Sequence, residues 1–263
     1  MTDPTPAPAA SVYGSREWLG QEYRRVGSDP WGLDWRPSQV ERYHQMIDVL
    51  MATLRVRGVV PRTVLDIGCA TGTFTAMLAR ALGGGATEVR GIDVTELAIE
   101  RARSRYPGVA FDCLTIDEAE ARFAGQFDLI TLLEVLYYVP EPERAGVLRR
   151  VRQMLKPGGI VLVSSMIARH PYMSPAQLQG LVASSFSVVD SGALSLRPLA
   201  MIEKPLLRLM PLFERLRPRH ARSTLPARAR AAQLFARLAR GALGSRALSH
   251  SYVVAVADAD RRV

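Results

Sequence analysis

From Thr63 onward the chain alternates between two hydrophobic periodicities. Short apolar runs rich in β-branched residues occupy 63–68, 89–94, 109–114, 127–133 and 160–164, each of strand length. Between them, at 74–82, 96–106, 117–123 and 141–155, apolar residues recur at helical spacing. Repeated strand–helix alternation implies a parallel sheet covered by helices on both faces. Beyond 164 the pattern predicts a loop over 166–173, a helix over 174–184, a strand over 186–189 that could extend through 196, and a final strand over 251–257. Ahead of 63, residues 15–54 are helical in pattern apart from a break at Ser28-Asp29-Pro30-Trp31-Gly32. The second helix is expected from about 38 to 54, because Ser38 and Glu41 have capping-box spacing.

Composition adds limits. A chain of 263 residues suffices for one α/β domain with extra elements, and 48% hydrophobic residues can build a sizeable core. Only Cys69 and Cys113 are present, without a CxxC pair or a companion histidine spacing. That excludes a disulfide framework and a zinc site, so no metal is expected and a reducing cytoplasm is the default location. Residues 1–14 are Pro/Ala-rich, lack the basic start of a secretion signal, and read as a disordered tail. No run reaches the ~18 apolar residues of a membrane span.

The net charge of +9 is local. Residues 200–248 hold eleven Lys/Arg against two acids, Glu203 and Glu214, and the remainder of the chain is balanced. This stretch lies between the last two expected strands and reads as a basic helical insertion. Leu206, Leu209, Met210, Phe213 and Leu216 recur at helical spacing beside Arg208, Arg215 and Arg217, with Pro211 interrupting the run. Leu234, Phe235 and Leu238 lie among Arg230, Arg237 and Arg240. Three readings stay open: a cap covering the sheet or a second copy, an amphipathic surface resting on anionic membrane, and a nucleic-acid surface. Two aromatics in the whole segment weigh against nucleic acid.

The residues with the strongest chemical signal are Val64 to Phe74, Val-Leu-Asp-Ile-Gly-Cys-Ala-Thr-Gly-Thr-Phe. An apolar strand ends in an acid, passes through a glycine-bearing turn and opens a helix. Glycines allow positive φ and close backbone approach, and a helix start offers free N–H groups to a polar ligand. The Gly-x-Gly-x-x-Gly spacing that holds a pyrophosphate is absent from this turn.

This stretch resembles motif I of the class I S-adenosylmethionine (SAM)-dependent methyltransferases, with Ala70 where the family pattern has its middle glycine. Three further motifs follow in order: Val89 to Asp93, Phe127 to Glu134, and Leu155-Lys156-Pro157-Gly158-Gly159 leading into Ile160–Val163. The resemblance implies a Rossmann-like, doubly wound seven-stranded sheet, mostly parallel with an antiparallel last strand. It would place SAM against Asp66, Gly68, Cys69, Ala70, Gly72, Asp93 and Val94, with Asp93 on the ribose hydroxyls. Many members carry an acid after strand three for the adenine; here the chain reads Asp112-Cys113-Leu114-Thr115, and Thr115 or the backbone near Cys113 is the substitute. The methyltransferase domain would span 61–199 and 249–263, with 15–60 as an N-terminal helical lid and 200–248 inserted.

Glu134-Val135-Leu136-Tyr137-Tyr138-Val139, with Asp29-Pro30-Trp31 and Ser38 to Tyr43, is similar to the nodulation protein S-like group, whose activity is N-methylation of an amino sugar. That resemblance implies a small polar acceptor, an amino-sugar or other amine nitrogen. O-methylation of a natural-product or glycan hydroxyl is the alternative, and a membrane- or nucleic-acid-associated SAM-binding protein is the second. An amine needs only an aimed lone pair, whereas a hydroxyl benefits from a base. Glu134, Tyr138 and His170 are the catalytic candidates at the strand carboxyl ends. The chain is expected to be a monomer or homodimer, cytoplasmic, with peripheral membrane contact through 200–248 as an open reading.

Overall fold

The structure is a computed structural model and describes residues 12–26, 29–34, 36–201, 203 and 247–258. The two amphipathic segments read within 204–246, the Ser28 and Trp35 positions, and most of the expected tail lie outside the described residues.

Seven strands form one sheet: β1 (Thr63–Ile67), β2 (Glu88–Asp93), β3 (Ala110–Cys113), β4 (Phe127–Leu133), β5 (Leu155–Met166), β6 (Ser187–Leu194) and β7 (His250–Val256). Their order is β3-β2-β1-β4-β5-β7-β6, with β7 antiparallel to both neighbours and every other pairing parallel. The expected seven-stranded Rossmann-like sheet is therefore present. Helices are α1 (Arg16–Val26), α2 (Pro37–Arg57), α3 (Thr73–Ala81), α4 (Glu96–Arg105), α5 (Ile116–Phe123), α6 (Arg144–Met154) and α7 (Pro175–Ala183).

Alternating side chains on each strand point to opposite faces. Leu65, Ile130, Leu132, Val161 and Val163 pack under α5, α6 and α7. Val64, Leu129, Leu133, Ile160 and Leu162 pack under α2 and α3. Both sheet faces are thus buried, which is why the strands read as continuous apolar runs. The chain leaves β1 toward β2 and β3, then returns to lay β4 on the other side of β1. At this reversal the loops after β1 and β4 diverge, and a crevice opens at the strand carboxyl ends.

Several sequence expectations shift. The helix expected over 141–155 is a 3₁₀ turn at Glu141–Glu143 followed by α6. β5 starts at Leu155, ahead of the expected 160, because Leu155 pairs with Phe127 before the register shift at Phe127/Leu129. At the end of the expected tail Tyr13, though partly exposed, makes ring contacts, 4.8 Å from Trp18 and 5.4 Å from Tyr138, centroid to centroid.

The capping box at Ser38 and Glu41 does not form. Pro37 occupies the first helical turn and Arg36 is the N-cap, without a side-chain cap bond. The free N–H of Ser38 instead donates to Glu203 Oε2 at 3.1 Å, while Arg36 Nε bonds Glu203 Oε1 at 2.5 Å. A carboxylate from 165 residues away in sequence thus caps α2 and sits at the positive end of its dipole. Glu41 is buried one turn further in and accepts from Gln45.

Replacing Glu203 by Ala removes the cap and the ion pair together. Urea unfolding should show a loss of about 1 kcal/mol, and an unchanged midpoint would mean that α2 is not held from this side.

Candidate active site

The crevice is a cavity of about 340 Å³ lined by residues from β1, β2, β4, the start of β7 and the N-terminal helices. Its floor rests on Asp66, which is 2% exposed. The Asp66 carboxylate accepts from Thr131 Oγ1 on β4 at 2.7 Å and from Thr75 Oγ1 on α3 at 2.6 Å. Burial pushes its pKa up to about 6, against the two hydroxyl bonds that favour the charged form.

Above it the turn after β1 is held by Asp93 at the end of β2. Asp93 Oδ2 accepts the Ala70 N–H at 3.0 Å and Oδ1 accepts the Thr95 N–H at 2.9 Å. Burial raises the Asp93 pKa, and these backbone bonds oppose that rise. Gly68 (φ +73°) sits so close to the loop after β4 that a Cβ there would lie 2.4 Å from Val135 Cγ2. Ala70 takes φ 49°, a left-handed conformation that the family's glycine adopts without strain.

Asp66, Gly68, Cys69, Ala70, Asp93, Val94 and Thr115 all border the cavity. Gly72 does not. It caps α3 at φ 80°, and a Cβ there would meet Phe111 Cζ at 2.6 Å, so its role is packing beneath the turn. Thr115 has its hydroxyl committed to a capping box with Glu118 at the start of α5, leaving its backbone and methyl as the surfaces it can offer.

The other half of the cavity lies under the N-terminal segment. Asp34 fastens that segment to the turn after β1: its carboxylate accepts from Thr71 Oγ1 at 3.0 Å and from Thr73 Oγ1, and it pairs with Arg105 of α4. Asp29 orders the turn before it by accepting the Leu33 and Asp34 N–H groups at 2.8 and 2.9 Å. Tyr13, Trp18, Tyr23, Trp31, Tyr137, Tyr138 and Tyr172 form a linked aromatic cluster at the mouth, with centroid spacings of 4.6 to 6.5 Å.

Glu134 ends β4 with φ 61°, a strained position for a non-glycine residue. Its Oε1 accepts from Ser164 Oγ at 2.7 Å and lies 3.4 Å from Arg42 Nη1, and Arg42 is itself 3% exposed. Glu134 Oε2 is buried with no hydrogen-bond partner among the described residues. His250 Nε2 lies 4.0 Å from that oxygen.

Tyr138 borders the cavity, but burial raises its phenol well above the usual range, so it can donate but is a poor base. His170 is not at the cavity. It is exposed in the loop after β5, whose Tyr172 turns inward to stack on Tyr137 at 4.8 Å while His170 points outward. The histidine that reaches the cavity is His250, together with Arg42. Neither signals itself in the sequence, since one opens a strand that runs against the others and the other sits on a helix outside the repeating unit.

The donor set fits SAM. An acid lies at the end of β2, and a turn without bulk faces the cavity at Gly68, where a Cβ would meet Val135. Among the described residues no group of three or more His, Cys, Asp or Glu could hold a metal ion.

Residues 64–159 match the family model described as a methyltransferase domain. A ubiquinone biosynthesis O-methyltransferase of Pseudomonas paraeruginosa is 39% identical over 118 residues, covering 43% of this chain and 48% of that protein. The protein of the same name from Escherichia coli is 32% identical over 149 residues, covering 55% and 59%. The chain thus spans about half the length of the curated relatives it matches. Among solved structures, the N-methyltransferase NodS from Bradyrhizobium japonicum, in complex with S-adenosyl-L-homocysteine, superposes with a TM-score of 0.54 at 26% identity, covering 68% of this chain and 89% of that one.

Two outcomes test the site. Asp93→Ala should weaken SAM or S-adenosylhomocysteine binding at least about tenfold in calorimetry, the scale of one lost charged hydrogen bond; unchanged affinity would displace the ribose from this acid. Burial holds the Asp66 pKa at about 6, above the ordinary aspartate value of 3.8, so its contribution to stability is present in acid and lost as pH rises through that window. Relative to Asp66→Asn, the wild type should lose stability of order 3 kcal/mol between pH 4 and 7, read by denaturant unfolding.

Four motifs in order, the sheet that carries them and the acid at the end of β2 agree with the matched model, and residues 64–159 are a stretch similar to a methyltransferase domain, set in a Rossmann-like seven-stranded sheet.

Proposed function

We propose that the protein transfers a methyl group from SAM to a hydroxyl of a small acceptor bound between the lid and the ends of β4 and β7. SAM supplies the electrophilic methyl on a sulfonium; what the chain adds is positioning, exclusion of water and a place for the departing proton. Asp93 and the 68–70 turn would hold the cofactor. The aromatic cluster and the Asp34 latch would close the mouth. Arg42 would face the acceptor from α2.

The observation that carries the hydroxyl reading is Glu134. Glu134 borders the cavity from a strained backbone position, and its Oε2 is buried with no hydrogen-bond partner among the described residues, 4.0 Å from His250 Nε2. Proton-accepting groups so placed suit an acceptor that must lose a proton as it attacks, as a hydroxyl must. The names of the curated relatives, O-methyltransferases, support the same class. The second reading is methylation of an amine, such as an amino sugar, supported by the likeness to the N-methyltransferase NodS.

A labelled-methyl assay on matched hydroxyl and amine acceptors separates the two readings. The hydroxyl reading expects transfer to hydroxyls and a kcat loss on the order of 100-fold for Glu134→Gln. Transfer to amines alone, or full activity of Glu134→Gln, would overturn it.

A further inference from the structure

We infer that His250 takes the proton of the acceptor hydroxyl on Nε2, and that Ser249 is the positioning residue that leaves this nitrogen free to do so. The inference rests on the hydroxyl reading above and assigns its proton.

Ser249 Oγ donates to the carbonyl of Leu194 at 3.2 Å and accepts the N–H of Leu196 at 3.3 Å. Its one proton has two acceptors in reach, this carbonyl and His250 Nδ1 at 2.9 Å. We take the arrangement in which the proton goes to Leu194 and the hydroxyl offers Nδ1 a lone pair. In that arrangement Nδ1 carries the hydrogen and Nε2 presents its lone pair. Nε2 faces Glu134 Oε2 across 4.0 Å, and that oxygen has no hydrogen-bond partner among the described residues. Two lone-pair atoms facing each other in a buried space are matched by a group that brings a proton between them.

Three charged groups face the imidazole from the elements around it: Glu134 at the end of β4, Arg42 on α2 and Arg197 after β6. Burial is the largest influence and lowers the His250 pKa to about 4; Glu134 opposes this and the two arginines reinforce it. The ring is accordingly neutral near physiological pH and able to accept. As the acceptor oxygen forms its bond to the methyl carbon, its proton passes to Nε2. The carbon–sulfur bond breaks with its electron pair remaining on sulfur. One positive charge is lost at the sulfonium and one appears on the imidazolium, beside the Glu134 carboxylate that stabilises it.

The test has one arm that needs no acceptor. Long-range proton–nitrogen NMR of the full-length chain, with His250→Gln identifying the signal among four histidines, should show His250 as the Nδ1–H tautomer at neutral pH. Ser249→Ala should lose that single tautomer. A wild-type ring protonated on Nε2 overturns the inference regardless of activity. In the second arm, methyl transfer from SAM to simple hydroxyl acceptors such as catechol is followed. His250→Ala and His250→Gln should each lower kcat about 100-fold or more, leave S-adenosylhomocysteine affinity unchanged, and recover partly with added imidazole. A kcat that stays near wild type in a folded variant refutes His250 and leaves the hydroxyl reading standing; amine-only transfer by the wild type refutes both.

Discussion

One buried carboxylate ties together the elements that make the crevice. Asp66 joins β1 to α3 through Thr75 and to β4 through Thr131, at the place where the chain reverses its direction across the sheet. β1 and β4 already share backbone hydrogen bonds, and the two hydroxyl bonds add a side-chain tie between the strands and one to α3. The cost is visible in the raised pKa of the acid, since an ionised group is being kept where water cannot reach it. The turn above inherits its position from this floor, and Asp93 then fixes that turn through the Ala70 N–H.

The cavity divides along the sheet. The β1–β2 side carries backbone, small residues at the turn and two acids, Asp66 and Asp93, which suits a cofactor whose shape is fixed. The β4–β7 side is made of Glu134, His250 and Arg42 beneath a wall of aromatic rings, which suits discrimination of an acceptor. Residues on this second side come from α2, from the turn after β4 and from the antiparallel strand, none of which belongs to the repeating strand–helix unit.

That division also explains what the sequence disclosed. The strands and helices of 63–164 were legible because burial on both sheet faces imposes a strong, repeating apolar pattern. The cofactor side was legible because a turn that must approach a ligand closely needs small residues at fixed spacing, and Gly68 and Asp93 stand where that spacing puts them. Gly72 fits the same pattern but serves the packing of Phe111. On the β4–β7 side Glu134 and Tyr138 were legible as candidates and do border the cavity, but His250 and Arg42 were not, since a histidine opening a β-strand carries no mark of facing a cavity. His170, in a loop of the right place in the chain, was the more conspicuous choice and faces outward. The α2 cap misled for a related reason: Ser38 and Glu41 have the spacing of a local cap, but the acid that serves the helix arrives from the far end of the domain.

The aromatic mouth has a consequence for how the molecule can be observed. All three tryptophans, Trp18, Trp31 and Trp35, lie in the N-terminal segment, and the sheet and its helices contain none. Trp18 and Trp31 sit in the cluster with Tyr138, and Trp31 borders the cavity itself. Tryptophan fluorescence from this protein is therefore light from the N-terminal segment alone. The sheet and its helices contribute none of it, and the chain carries a built-in reporter at the wall of the cavity.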